Sequence, residues 1–118
     1  MCGVVGLIQN QKYNKDHLKN AIINMNNTLI HRGPDHKDIW IDGDNYVTFG
    51  HCRLSILDLS TAGHQPMQSL SGRYVIIFNG EIYNHLELRN LLKSYNQKIH
   101  WKGSSDTETL LNLFEIFD

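Results

Sequence analysis

Three stretches of this chain carry apolar residues at spacings of three and four, so each reads as a helix with one face to hide. They are Leu18, Ala21, Ile22, Met25 and Leu29, then Leu88, Leu91, Leu92 and Tyr95, and last Leu110, Leu111, Phe114 and Phe117. A helix with one apolar stripe has to lay it on a second layer. Before and between these stretches stand short runs of β-formers: Cys2 to Gln9, Asp38 to Ile41, Tyr46 to Gly50, Arg53 to Leu57, Tyr74 to Phe78 and Gln97 to Trp101. The order predicts a mixed α/β fold of the α+β type, with helices layered on sheets.

Local signals sharpen this reading. Asp16 is a candidate N-cap for the first helix, and the His31-Arg32-Gly33-Pro34-Asp35 cluster reads as its stop, because proline cannot continue helical bonding. Asp42-Gly43 between two β-runs is a hairpin signal. Residues 58–73, with Gly63, Pro66 and Gly72, read as loop. The run from Tyr74 to Phe78 is apolar throughout, so it is expected to be buried on both faces. Asn84 with Glu87, and Ser105 with Glu108, have the spacing of capping boxes. The last helix is still apolar at Asp118 with no stop signal, so the chain is expected to be a truncated piece.

The chain has 118 residues, room for one domain, and a net charge of −1. That balance offers no basic footprint for nucleic acid or a membrane surface, and no apolar run approaches the roughly 18 residues of a spanning helix. Neither Cys2 nor Cys52 belongs to a CxxC pair, and the seven histidines lack a metal-ligand spacing, so no metal and two reduced thiols are expected. A cytoplasmic location follows from the same reading.

Several residues carry chemistry. Once Met1 is removed, Cys2 holds a thiol and a free α-amine on one residue, and an α-amine can take a thiol proton near neutral pH. That is an N-terminal nucleophile with its own general base. Asn79-Gly80, just after a strand, could aim an amide and a backbone N–H at one spot, though the same pair also favours a hairpin turn. Arg53 in an apolar stretch wants a carboxylate. Asp106 at a helix start could hold an ammonium group or simply favour the helix dipole. The 31–35 cluster reads structurally, and His51, His64 and His85 read as hydrogen-bonded. Gly103-Ser104-Ser105 lacks the lysine of a phosphate loop.

Together these motifs resemble a family. Met1-Cys2-Gly3-Val4-Val5-Gly6 is similar to the start of class II glutamine amidotransferases. His31 to Asp35, Gly50 to Asp58, Phe78 to His85 and Ser105 to Glu108 resemble the glutaminase part of glutamine-dependent asparagine synthetases. The resemblance implies an N-terminal-nucleophile amidohydrolase sandwich of antiparallel sheets between helical layers. It implies that Cys2 attacks the side-chain amide of L-glutamine while Asn79 and Gly80 hold the oxyanion. Arg53 would clamp the α-carboxylate and Asp106 the α-ammonium, with Leu54, Leu57 and Glu81 lining the pocket. It also implies no cofactor for the glutaminase part, with ATP and Mg belonging to a C-terminal synthetase domain that amidates aspartate and is expected to be absent from this chain. Residues 1–118 are thus expected to be the N-terminal part of an amidotransferase domain, with that synthetase domain, and a homodimer, as partners. Two alternatives stand beside this: a non-catalytic fragment that keeps a glutamine pocket, and an amidotransferase for another acceptor.

Overall fold

A computed structural model describes residues 1–56, 58–96 and 98–118. Strands β1 (Gly3–Ile8), β2 (His36–Ile41) and β3 (Val47–Arg53) form an antiparallel sheet in the order β1-β3-β2. Helix α1 (Lys15–Asn27) packs across all three strands. A second antiparallel pair joins β4 (Met67–Gln68) to β5 (Val75–Ile76), and α3 (Asp106–Phe117) contacts both β5 and α2 (His85–Tyr95). The mixed architecture with helices on antiparallel sheets is the expected one.

Helix α1 buries Leu18, Ile22 and Asn26, one ridge at a spacing of four. The stripe read from sequence put Met25 on that ridge, but Met25 is exposed and Asn26 replaces it. The reason is polar: Asn26 Nδ2 donates to the carbonyls of Asp38 and His51, and its Oδ1 accepts from the Cys52 thiol. One buried amide thereby ties the helix to two strands, each bond contributing about 1 kcal/mol. The N-cap is Asn14 rather than Asp16, its Oδ1 accepting from the Asp16 and His17 N–H groups. The helix also ends at Asn27, four residues ahead of the expected stop.

Other expectations need correction. The opening run, rich in Val, Leu and Ile, reads as a buried strand, but β1 is an edge strand with Val4 and Ile8 exposed, because α1 covers only one face of its sheet. The hairpin between β2 and β3 forms as expected, with Asn45 at positive φ and the Asp42 carboxylate accepting from the Tyr46 and Val47 N–H groups. The strand at 74–78 shrinks to Val75–Ile76, half-buried, because only Met67–Gln68 runs beside it. The loop at 58–73 contains that partner and a 3-10 turn at Thr61–Gly63. β3 ends at Arg53, so the extended run foreseen to Leu57 does not continue as strand; Leu57 itself lies outside the described residues.

Residues 98–101 form no strand, and Gln97 lies outside the described residues. Trp101 instead stacks under the Arg89 guanidinium, 4.0 Å from its ring centroid. Asn84 precedes α2 but makes no side-chain cap bond. Ser105 does cap α3 through the Glu108 N–H, yet Glu108 does not reach back. Its carboxylate accepts from the Lys102 and Gly103 N–H groups and pairs with Arg89 at 3.1 Å.

Candidate active site

The end of β3, the start of β1, the segment after β5 and the start of α3 converge on a cavity of about 300 Å³. Cys2, Arg53, Leu54, Asn79, Gly80, Glu81 and Asp106 all line it, as do Met1, Asp58, Gln65 and Thr107. The volume suits a ligand the size of one amino acid. Leu57, the remaining residue expected here, lies outside the described residues.

Cys2 stands one position before the first pair of the sheet, Gly3 with Cys52. Its Sγ accepts from the Leu54 N–H at 3.3 Å and lies 3.5 Å from the Leu54 carbonyl. The Arg32 Nε donates to the Cys2 carbonyl at 3.2 Å. Gly33 lies so close to β3 that a Cβ there would run into the Cys52 carbonyl. The Asp35 N–H donates to the Arg53 carbonyl, and its carboxylate accepts from the Ser55 N–H at 2.7 Å. The 31–35 connector thus grips Cys2 and the strand end beside it, which goes beyond a helix stop. The signals for this in the sequence are the crowding of charged residues around Gly-Pro and the family resemblance of the stretch.

Arg53 is buried, and among the described residues no carboxylate pairs with it. Its Nη1 donates to the Ser60 carbonyl at 2.7 Å and its Nη2 to the Asp58 carbonyl. Gly63 makes room for this, since a Cβ at 63 would strike Nη2. Asp106 is equally buried and has no cationic partner among the described residues. Its Oδ2 accepts from the Ile82 N–H and its Oδ1 from the Thr107 N–H, each at 2.8 Å. A buried cation and a buried anion, neither in an ion pair, therefore line one small cavity.

The hairpin reading of Asn79-Gly80 fails. Neither residue takes the positive φ of a tight hairpin, and the segment has no strand partner among the described residues. The Asn79 side chain makes no hydrogen bond to the described protein, and the Phe78 ring packs against Gly80, leaving no room for a Cβ. Both residues line the cavity.

Asp58 ties the cavity's two walls. Its Oδ1 accepts from the Ser60 N–H and hydroxyl, and its Oδ2 from the Ser104 N–H and hydroxyl. Burial pushes this carboxyl up, but the bonds from Ser60 and Ser104 outweigh it and hold the group at about 2. Nothing local in the sequence marks this role.

None of His51, His64 and His85 lines the cavity. Burial pushes His51 down to about 4, against the opposing pull of the Phe78 backbone, so it is neutral at pH 7. The expected hydrogen-bonded role does not hold there: neither ring nitrogen makes a well-formed bond to the described residues. His64 instead stacks on His36 with centroids 3.4 Å apart, and its pKa is lowered, chiefly by burial. Both thiols are free; Cys52 donates to Asn26 and is pushed up by burial. Among the described residues no three His, Cys, Asp or Glu side chains gather as metal ligands, and no helix is long and apolar enough to cross a membrane.

Residues 1–117 match the family model of the glutamine amidotransferase domain. The chain is 38% identical over 130 residues to putative asparagine synthetase (glutamine-hydrolyzing) 2 of Methanocaldococcus jannaschii, with 97% of this chain and 24% of that protein covered. It is 40% identical over 112 residues to asparagine synthetase (glutamine-hydrolyzing) 1 of Bacillus subtilis, covering 94% of this chain and 17% of that protein. Similarity at 29% identity over 123 residues extends to amidase chry2 of Gibberella zeae, covering 98% of this chain and 18% of that protein. The chain therefore spans less than a quarter of the length of these relatives.

Proposed function

This chain belongs to the glutamine amidotransferase domain family, and from that premise we propose that it hydrolyses L-glutamine to glutamate and ammonia through Cys2. The observation that carries the proposal is the cavity itself. A thiol, a buried guanidinium and a buried carboxylate line the same space, and among the described residues the guanidinium has no carboxylate and the carboxylate no cation. A free α-amino acid brings the two missing charges, and with both held only its side chain is left to reach the thiol.

The steps follow from the groups in place. Removal of Met1, which lies against the cavity, frees the α-amine of Cys2. That amine takes the thiol proton, and Sγ attacks the side-chain amide carbon of glutamine. The Asn79 amide and the Gly80 N–H receive the oxyanion. The tetrahedral species collapses, its nitrogen leaves as ammonia with the proton held by the amine, and a γ-glutamyl thioester remains. Water, deprotonated by the same amine, then releases glutamate and regenerates the thiol. Arg53 holds the α-carboxylate and Asp106 the α-ammonium, while Leu54 and Glu81 border the pocket.

The ammonia would pass to a synthetase part of a longer protein, where ATP with Mg would activate aspartate; the relatives named as asparagine synthetases support asparagine as the product. The likeness to a protein named amidase favours, as a second reading, the same glutaminase chemistry serving another acceptor. A cytoplasmic setting suits both, since a reducing compartment keeps Cys2 a thiol.

The test is the intact mass before and after a diazo-ketone analogue of glutamine, alongside ammonia release. Loss of Met1 and one adduct per chain, absent in Cys2→Ala, are expected. Ammonia release by Cys2→Ala at the native rate would overturn the mechanism.

A further inference from the structure

The segment carrying Asn79 and Gly80 lies outside any helix or strand, from Ile77 to Ile82. No backbone N–H from Phe78 to Ile82 donates to a backbone carbonyl of the described residues. Oxyanion donors act by being fixed before the reaction begins, so something else has to hold them.

Two side-chain acceptors do so, one at each end. The Phe78 N–H donates to Gln65 Oε1 at 2.6 Å, and the Ile82 N–H donates to Asp106 Oδ2 at 2.8 Å. The two acceptors are themselves joined. Gln65 Nε2 donates to Thr107 Oγ1 at 3.2 Å, and the Thr107 hydroxyl reaches Asp106 Oδ1 at 3.5 Å. Gln65, Thr107 and Asp106 are all buried, so water competes little for these bonds. The result is a closed ring: Phe78, Gln65, Thr107, Asp106, Ile82 and back through Asn79 and Gly80.

We propose that Gln65 and Thr107 are positioning residues, which lock the oxyanion donors at a set distance from the carboxylate that holds the α-ammonium. This rests on the assignment of Asn79, Gly80 and Asp106 made above. The ring makes one rigid gauge of the two ends of the substrate. Gln65 borders the cavity and acts on the donors through its bond to Phe78, and its loss acts on the rate more than on binding, since Arg53 and Asp106 keep their own supports.

The experiment uses Gln65→Leu, which keeps bulk and removes both bonds, with Thr107→Val and Thr107→Ser. Losing one oxyanion donor outright costs about 10²–10³ in rate, so displacing the pair is expected to lower kcat by about 10–100-fold. KM should stay within about threefold. Thr107→Val should lower kcat in the same sense, and Thr107→Ser, which keeps the hydroxyl, should restore it. Amide hydrogen exchange supplies a readout independent of turnover: the hydrogen-bonded Phe78 and Ile82 amides should exchange at least about tenfold faster in Gln65→Leu, with β1 and β3 unchanged. Unchanged protection there, or a kcat within about twofold of the native value, overturns the proposal. If the native protein fails to hydrolyse glutamine, the functional reading has failed, and the exchange result alone decides the brace. If Gln65→Leu does not fold, Thr107→Val carries the same two measurements.

Discussion

Replacing Asp58 by asparagine measures how far the site depends on one carboxylate. All four of its bonds are donated to it, two by Ser60 and two by Ser104. An asparagine offers one oxygen and one NH₂, so whichever way it turns, one pair of donors faces a donor. A carboxyl held at about 2 against an ordinary 3.8 corresponds to about 2 kcal/mol of native stability at pH 7. The sign follows from the direction. A carboxyl whose pKa is depressed on folding gives its full contribution above about 3.8 and loses it as pH falls through about 2. Asp58→Asn should therefore unfold about 2 kcal/mol more easily in urea at pH 7, or melt on the order of 5–10 °C lower. The difference from the native chain should shrink steadily between pH 4 and about 2. Because the Asp58 and Ser60 carbonyls also accept from Arg53, the KM for glutamine should rise with it. A stability difference below about 0.5 kcal/mol, or one that does not change with pH, would refute the reasoning.

Three further outcomes follow from the geometry. Gly33→Ala forces a methyl into the Cys52 carbonyl and should cost at least about 2 kcal/mol in equilibrium unfolding, with β3 shifted and glutaminase activity reduced. His51 is held neutral down to about 4, so the native state binds fewer protons than the unfolded chain from pH 6.5 downward. Its contribution is complete above 6.5 and about 3 kcal/mol is lost by pH 4; nuclear magnetic resonance should show its ring titrating at about 4. Arg89→Met removes bonds to Gly103, Ser105, Glu108 and Thr109 and leaves the buried Glu108 without its cation. A loss of about 3 kcal/mol or more is expected in urea unfolding.

The three helices were legible because apolar spacing is a local signal, but their stripes are only partly covered: Leu92 of α2 and Leu111 of α3 are buried, while Leu91, Tyr95, Phe114 and Phe117 are exposed. Caps were less so: Asn14 and Asp16 are both competent, and only the path of the chain selects Asn14. Strands were misjudged wherever pairing decides them. The run at 74–78 has strand composition throughout but finds a partner for two residues only, and the run ending at Trp101 finds none among the described residues. Composition cannot show whether a neighbouring edge exists. At the site, Cys2, Arg53, Asn79, Gly80 and Asp106 could be singled out from motifs, and the structure brings them to one cavity. What braces them could not. Gln65 to Thr107, Asp58 to Ser104 and Arg32 to Cys2 are contacts between distant stretches of chain, and such contacts leave no periodic or neighbouring pattern to read.

The way Asp58 is held also bears on how this chain can change over generations. Replacing Asp58 or Ser104 alone strands donors or an acceptor in a poorly hydrated place, and the compensating change lies far off in the gene. A lineage drifting one substitution at a time must cross a weakened intermediate, so these two positions are expected to turn over together or stay as they are. Exposed positions such as Lys98 and Asn90 carry no such debt and are free to wander.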